Sequence, residues 1–357
     1  MDGLFGQTVF TVGERTYAWE DVVLAAMWWG DWDRLEAQAR QGLACAARLE
    51  AVDAESDPDQ VSAAADEFRY ERDLLTAEET EAWLARWGLT TESWMDYIER
   101  AVLRRAWADE LDDNVREYPI GDDEVAEAMH AEAVCSGALG RLAGKLAGRA
   151  AAFARAGPPA AGAPPAEDEK ARAPGALGAV GARAATLGLP GLTPDACAEK
   201  LRTIAGLEGA FQRFSQEVLT PKAIHDAINT HHLDWIRLRC RTVTFADEQA
   251  ANEAALCVRE DGDDLTAVAR AAKTPVHKTR FYMDEAEPPV RTLLQAARPG
   301  EVLGPVPLNG GYALFHVLEK RLPSAEDPHV RRRAERHVLD RAVDHEITHR
   351  VRWRFPL

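Results

Sequence analysis

The sequence has no apolar run approaching the length needed to span a bilayer, which argues against an integral helical membrane protein. Cysteine is scarce: Cys45, Cys135, Cys197, Cys240 and Cys257 are scattered through 357 residues without a CxxC pair. An odd set of dispersed thiols argues against a disulfide framework and fits a reducing compartment. Positive charge is in short supply, with 42 Lys and Arg against 59 Asp and Glu and a net charge of −17. Polyanion binding needs clustered cations, so nucleic acid is not an expected partner, and neither is a membrane. The opening Met1-Asp2-Gly3-Leu4-Phe5 lacks a basic segment followed by an apolar core, so no secretory signal is expected. Cytoplasmic localisation follows as the expectation.

What is present points to a folded protein of two or three domains, with 46% apolar and 28% charged residues. The charge is uneven: residues 1–135 carry 32 acids against 11 bases, whereas 331–357 carry 8 Arg against 4 acids. A basic C-terminus is thus suited to dock on an acidic N-terminal region, or that region to attract basic peptides.

Thr8–Val12 and Arg15–Trp19 read as two short strands joined at Gly13-Glu14. Asp21 is placed to cap a helix with Val22, Val23, Ala26 and Met27 on its apolar face. Helices are expected over Val61–Leu75, after the capping box Thr76-Ala77-Glu78-Glu79, after a cap at Thr91 or Ser93, and from Gly121 towards Phe153. Residues 157–181 are Ala, Pro and Gly with a short charged insert, a composition expected of a flexible linker. Two more helices are capped near Thr193-Pro194 and Thr220-Pro221. Beyond Trp235 the pattern becomes a strand (Arg239–Phe245), helices at Glu248–Val258, Asp263–Ala272 and Val290–Ala297, and strands at Val302–Val306 and Tyr312–Leu318. A charged helix, Asp327–Arg350, and an alternating strand, Val351–Pro356, finish the chain.

The stretch from Leu293 to Val306, containing Pro299-Gly300-Glu301 and Gly304-Pro305-Val306, is followed by Gly310-Gly311-Tyr312-Ala313. Together with Asp264-Leu265…Val268-Ala269 it resembles the parvulin family of prolyl isomerases over about residues 236–323. The flanking order of elements is similar to SurA-type chaperone-isomerases, and more narrowly to parvulin-related proteins that accompany modified-peptide gene clusters. The resemblance implies a helical peptide-binding region, a parvulin domain, and a C-terminal helix and strand returning to the N-terminal core.

It also implies two catalytic histidines, and neither is where the family has it. The strand Arg239–Phe245 contains no His, and Ala313 follows Gly-Tyr. The family's Gly-Asp-Leu-Gly turn is missing from Lys273–Asp284, where His277 reads as a lone loop histidine. Phe281, Met283, Val290 and Leu294 fall where the family places its apolar proline pocket. Separately, His345-Glu346-Ile347-Thr348-His349 matches HExxH, with His337 on roughly the same helical face. No His, Asp, Glu or Cys remains downstream as a third ligand, so an amphipathic helix is favoured over a metal-dependent hydrolase. His231-His232 are adjacent helical positions that face apart, a poor chelate. Among the tryptophans clustered in the first 107 residues, Trp29 and Trp32, beside Gly30, are the expected exposed contacts.

The expected fold is α+β, mostly α. A helical region with an N-terminal hairpin spans 1–156, a linker 157–181, a helical segment 182–235, a degenerate parvulin-like α/β domain 236–323, and a returning helix and strand 324–357. The expected function is non-catalytic binding of a peptide or unfolded segment, such as a precursor peptide awaiting modification, with no catalytic residue, metal or cofactor. An active prolyl isomerase and a scaffold for a modifying enzyme are the alternatives.

Overall fold

A computed structural model describes residues 4–157, 180, 193–308 and 310–356. The Ala/Pro/Gly-rich stretch lies outside the described residues except for Gly157 and Val180, as does Asn309 between the two expected strands Val302–Val306 and Tyr312–Leu318. The chain forms two compact units: Met1–Ser215 with Val343–Leu357, and Gln216–Ala342.

In the first unit, β1 (Thr8–Val12) and β2 (Arg15–Ala18) form the expected hairpin. Gly13 at φ +57° supplies the left-handed turn. The C-terminal β7 (Val351–Trp353) pairs antiparallel with β1, Phe10 opposite Trp353, so the sheet order is β2-β1-β7. Helices α1 (Trp19–Trp29), α2 (Asp31–Ala51), α3 (Pro58–Tyr70), α4 (Ala77–Trp87), α5 (Thr91–Ala106), α6 (Leu111–Glu117), α7 (Asp122–Cys135), α8 (Ala138–Ala156) and α9 (Pro194–Val218, to Ser215 in this unit) complete it. Helix α1 is the spine. Eight of its eleven residues are buried, because a helix apolar on nearly every side is stable only with neighbours all round. Its first residue, Trp19, is wholly buried, and Phe355 packs against both Trp19 (5.3 Å) and Trp87 (4.7 Å).

Local signals set the helix ends, with some corrections to the sequence reading. The Thr76 box forms as expected, Thr76 N–H donating to Glu79 Oε2 at 2.9 Å and Glu79 N–H to Thr76 Oγ1 at 3.2 Å. Asp21 stabilises α1 from inside the first turn, accepting from Ala18 N–H at 2.7 Å, and is not the N-cap. The cap of α5 is Thr90, one residue before the expected position, accepting from Ser93 N–H at 3.1 Å. The run from Gly121 towards Phe153 is two helices, broken where Gly137 adopts φ +69°. Its Ala- and Gly-rich composition hid the break.

The second unit begins with α10 (Pro221–Thr230), followed by β3 (Arg237–Phe245), α11 (Glu248–Arg259), α12 (Leu265–Ala271) and β4 (Val276–Tyr282). A 3-10 turn (Met283–Glu285), α13 (Pro288–Gln295), β5 (Val302–Leu308) and β6 (Gly311–Arg321) follow. The long α14 (Pro328–Arg350) starts here and passes into the first unit from Val343. The antiparallel sheet has the order β4-β3-β6-β5. Strand β4 was not expected: the stretch read as a loop is an edge strand, whose polar Lys278 and Arg280 are exposed.

Two glycines explain much of the family-like signature. A Cβ on Gly304, at φ +108°, would stand 2.5 Å from the Ala313 carbonyl oxygen, and one on Gly311 would stand 2.6 Å from that of Phe245. Both therefore permit close approach of β5 to β6 and of β6 to β3. The sequence-level fold class, mostly helical α+β with hairpin, parvulin-like α/β domain and returning helix and strand, matches this architecture.

Candidate functional site

Strand alternation sorts the side chains of the second sheet onto two faces. Leu238 and Cys240 of β3, Phe281 of β4, and Ala313, Phe315 and Val317 of β6 pack with Val290 and Leu294 of α13. Val243, Phe245 and Leu314 take the opposite face, against α11 and α12. Lys320 fixes the end of α13 by donating to the carbonyls of Leu294, Gln295 and Ala297 at 3.3, 2.6 and 3.1 Å. These are C-terminal carbonyls that the helix itself leaves unpaired.

The α13 face is covered at one end and open at the other. Leu238 is fully buried, while Thr244 and His277 are exposed. At the open end Thr242 lies directly opposite His277, and its hydroxyl is 3.1 Å from that of Thr279. Ala313 is opposite Thr244 on the neighbouring strand. His277 is thus a strand residue on the sheet face, correcting its reading as a loop histidine. The thiol of Cys240, fully buried on this face, is pushed up to about 11 by desolvation, so it is not a thiolate at neutral pH. His316 belongs to β6 but has the parity of Leu314, so it lies on the other face, opposite Arg241. Burial first, then the Arg241 charge, lowers its pKa, with Asp264 opposing.

Residues 237–328 match the family model described as PPIC-type PPIASE domain. This segment is a PpiC-type parvulin domain. No curated protein matches the chain. The domain's first strand places Cys240, Thr242 and Thr244 on the α13 side of the sheet, with Thr244 alone of the three exposed, and its last strand places buried Ala313 there, so the two strands bring no imidazole pair together. Of the four residues assigned to the proline pocket, Met283, Val290 and Leu294 are buried in the parvulin core, and Phe281 is half-buried at its edge. The Thr242–Thr279 contact had no local signal, since it joins residues 37 apart.

Trp32 is 2% exposed, which corrects the expectation of an exposed contact: it lies on the buried side of α2. Trp29 is half-buried. Lys145 and Arg149 lie 4.3 and 4.7 Å from its ring, and its Nε1–H donates to Glu208 at 3.1 Å. An opening of about 710 Å³ between α2, α3 and α5 presents another surface. Leu49, Val61, Ala65 and Met95 line it, with Glu50, Glu55, Asp66, Asp96 and Glu99 around them and Arg69 as the one basic lining residue. Burial raises the Asp96 carboxyl above its ordinary range, with Arg100 pulling the other way.

In the HExxH segment, His345 and His349 are exposed while Glu346 is buried. Arg155 and Arg350 donate to separate Glu346 oxygens at 2.9 and 2.6 Å. Glu346 is thus a buried acceptor for two guanidinium groups, on a helix whose flanking His345 and His349 are exposed. No helix among the described residues is long and apolar enough to cross a membrane.

Proposed function

We propose that this protein binds peptide segments and does not rotate their prolyl bonds. The observation that carries the reading is the α13 face of the parvulin sheet, where the two central strands present buried Thr242 and Ala313 and exposed Thr244, and form no imidazole pair. Amide rotation has a barrier of ~18–20 kcal/mol, and a surface without the acid–base groups of the family has little to lower it. Phe281, half-buried on edge strand β4 opposite Leu238 and packed against the cluster that holds Met283, Val290 and Leu294, is the peptide contact we assign to this domain. The acidic, apolar-floored opening of the helical unit is a second contact, suited to basic or amphipathic segments.

The occupant we assign is a precursor peptide held in the cytoplasm for a modifying enzyme, a reading supported by the likeness to parvulin-related maturation proteins. Scaffolding of the enzyme itself is the alternative. Co-purification with a precursor peptide supports the first, and recovery of the enzyme without peptide supports the second. A specific observation favours one other reading: His277, exposed opposite Thr242, is an imidazole on the correct face for residual isomerase activity. A proline-peptide isomerisation assay separates the two. We expect no acceleration over buffer, and turnover lost in His277→Ala would establish the isomerase.

A further inference from the structure

His231 and His337 are 106 residues apart in sequence, and their Nε2 atoms lie 3.2 Å apart. His231 directly follows α10, and His337 projects from α14. Both are within the second unit. Two nitrogens bound to one tetrahedral ion at ~2.0–2.1 Å stand about 3.3 Å from each other, so the observed spacing is that of a chelating pair. The rings are also fixed in place. His231 stacks on buried Trp235 (4.8 Å, 17°), and His337 meets the same indole edge-on at 5.8 Å. On the far side of His231, Nδ1 is 3.3 Å from Asp234 Oδ2. A carboxylate behind a histidine fixes the tautomer that leaves Nε2 free to bind an ion, and strengthens it as a ligand.

We propose that His231 and His337 form a two-histidine site for a divalent transition metal of the zinc class, with Asp234 as its positioning residue and solvent completing the coordination. Imidazole donors favour zinc, copper and nickel over calcium or magnesium. The site would clip α14 to the end of α10, whose apolar residues Ile224 and Ile228 already pack in one cluster with Val330 and Ala334.

The test uses tag-free, full-length protein carrying Cys257→Ser, His345→Ala and His349→Ala, which removes the half-buried thiol and the i, i+4 histidine pair as competing donors. Zn²⁺ is titrated by calorimetry, and Co²⁺ absorption reports the geometry. One equivalent should bind, with a tetrahedral Co²⁺ spectrum and a rise in thermal midpoint. His231→Gln and His337→Gln keep a polar side chain in place, and each should weaken binding by more than about 100-fold. Asp234→Asn should weaken it about 10-fold. Failure of the background protein to bind Zn²⁺, or equal binding by both glutamine variants, would overturn the site whatever their stability.

Discussion

Glu346→Gln tests the structural reading of the HExxH helix. The wild-type carboxylate is 6% exposed at the side chain and holds Arg155 and Arg350 through separate oxygens. Removing one partner of a fully buried pair costs roughly 3–5 kcal/mol. Arg155 and Arg350 retain 33% and 39% of their side-chain exposure, so water recovers part of the loss. Glutamine also keeps one acceptor, which brings the expected cost to about 2 kcal/mol. For a unit of this size that lowers the thermal midpoint by about 4–8 °C. Tryptophan fluorescence follows it well, because nine of the ten tryptophans lie in the first unit. The pH dependence gives a second check. Burial alone would raise the Glu346 pKa, but the hydrogen bonds from Arg350 and Arg155 outweigh it, and the folded value lies below the ordinary one. The stabilisation is therefore complete above the unfolded value of roughly 4.3 and fades as pH falls through the lower folded value. The deficit of the variant should be full at pH 7 and shrink by pH 3. Unchanged stability at pH 7, or a deficit that persists undiminished in acid, would refute the reasoning.

Other consequences are equally accessible. Gly304→Ala forces a Cβ to 2.5 Å from a backbone oxygen at φ +108°, and should destabilise the parvulin domain by about 2–4 kcal/mol in urea unfolding. Burial pushes the thiols of Cys135 and Cys240 up to about 12 and about 11, and Cys257 is the one cysteine outside the buried class. A thiol-reactive dye at pH 8 should therefore titrate one fast thiol, lost in Cys257→Ser. Phe355→Ala removes the ring between Trp19 and Trp87, and should cost about 3–5 kcal/mol in the first unit, read by chemical denaturation. A Lys-rich amphipathic peptide should bind less tightly as salt rises, and Glu55→Lys with Asp66→Lys should weaken it further in a fluorescence titration.

Elements with local causes were legible in the sequence. The Thr76 and Glu79 side chains bond to nearby amides, and the hairpin needs little beyond strand alternation and Gly13. The parvulin-like region was visible because Gly304 and Gly311 are required by backbone contacts that admit no side chain. Strand β4 was not visible, since an edge strand keeps polar side chains in water and loses the apolar alternation that marks a strand. Trp32 read as exposed because the neighbouring Gly30 suggested a turn; it is a turn, but α2 starts at once and rotates the indole inward. His231 and His337 looked unpromising within their own segments, one beside a neighbour facing away and the other eight residues before the HExxH pair. Their pairing exists only after α10 and α14 pack.

The pairing of β7 with β1 has a consequence for the order in which the chain acquires its structure during synthesis. The first unit is assembled from residues on both sides of the second, so its sheet lacks a strand until the segment after Val343 leaves the ribosome. Residues 216–342 are continuous and have their own apolar clusters, so they can fold while the earlier unit still lacks Val351 and Phe355. A released chain ending before residue 343 would carry every strand of the parvulin sheet but an unfinished helical unit, with Trp19 and Trp87 missing the phenylalanine that packs against them.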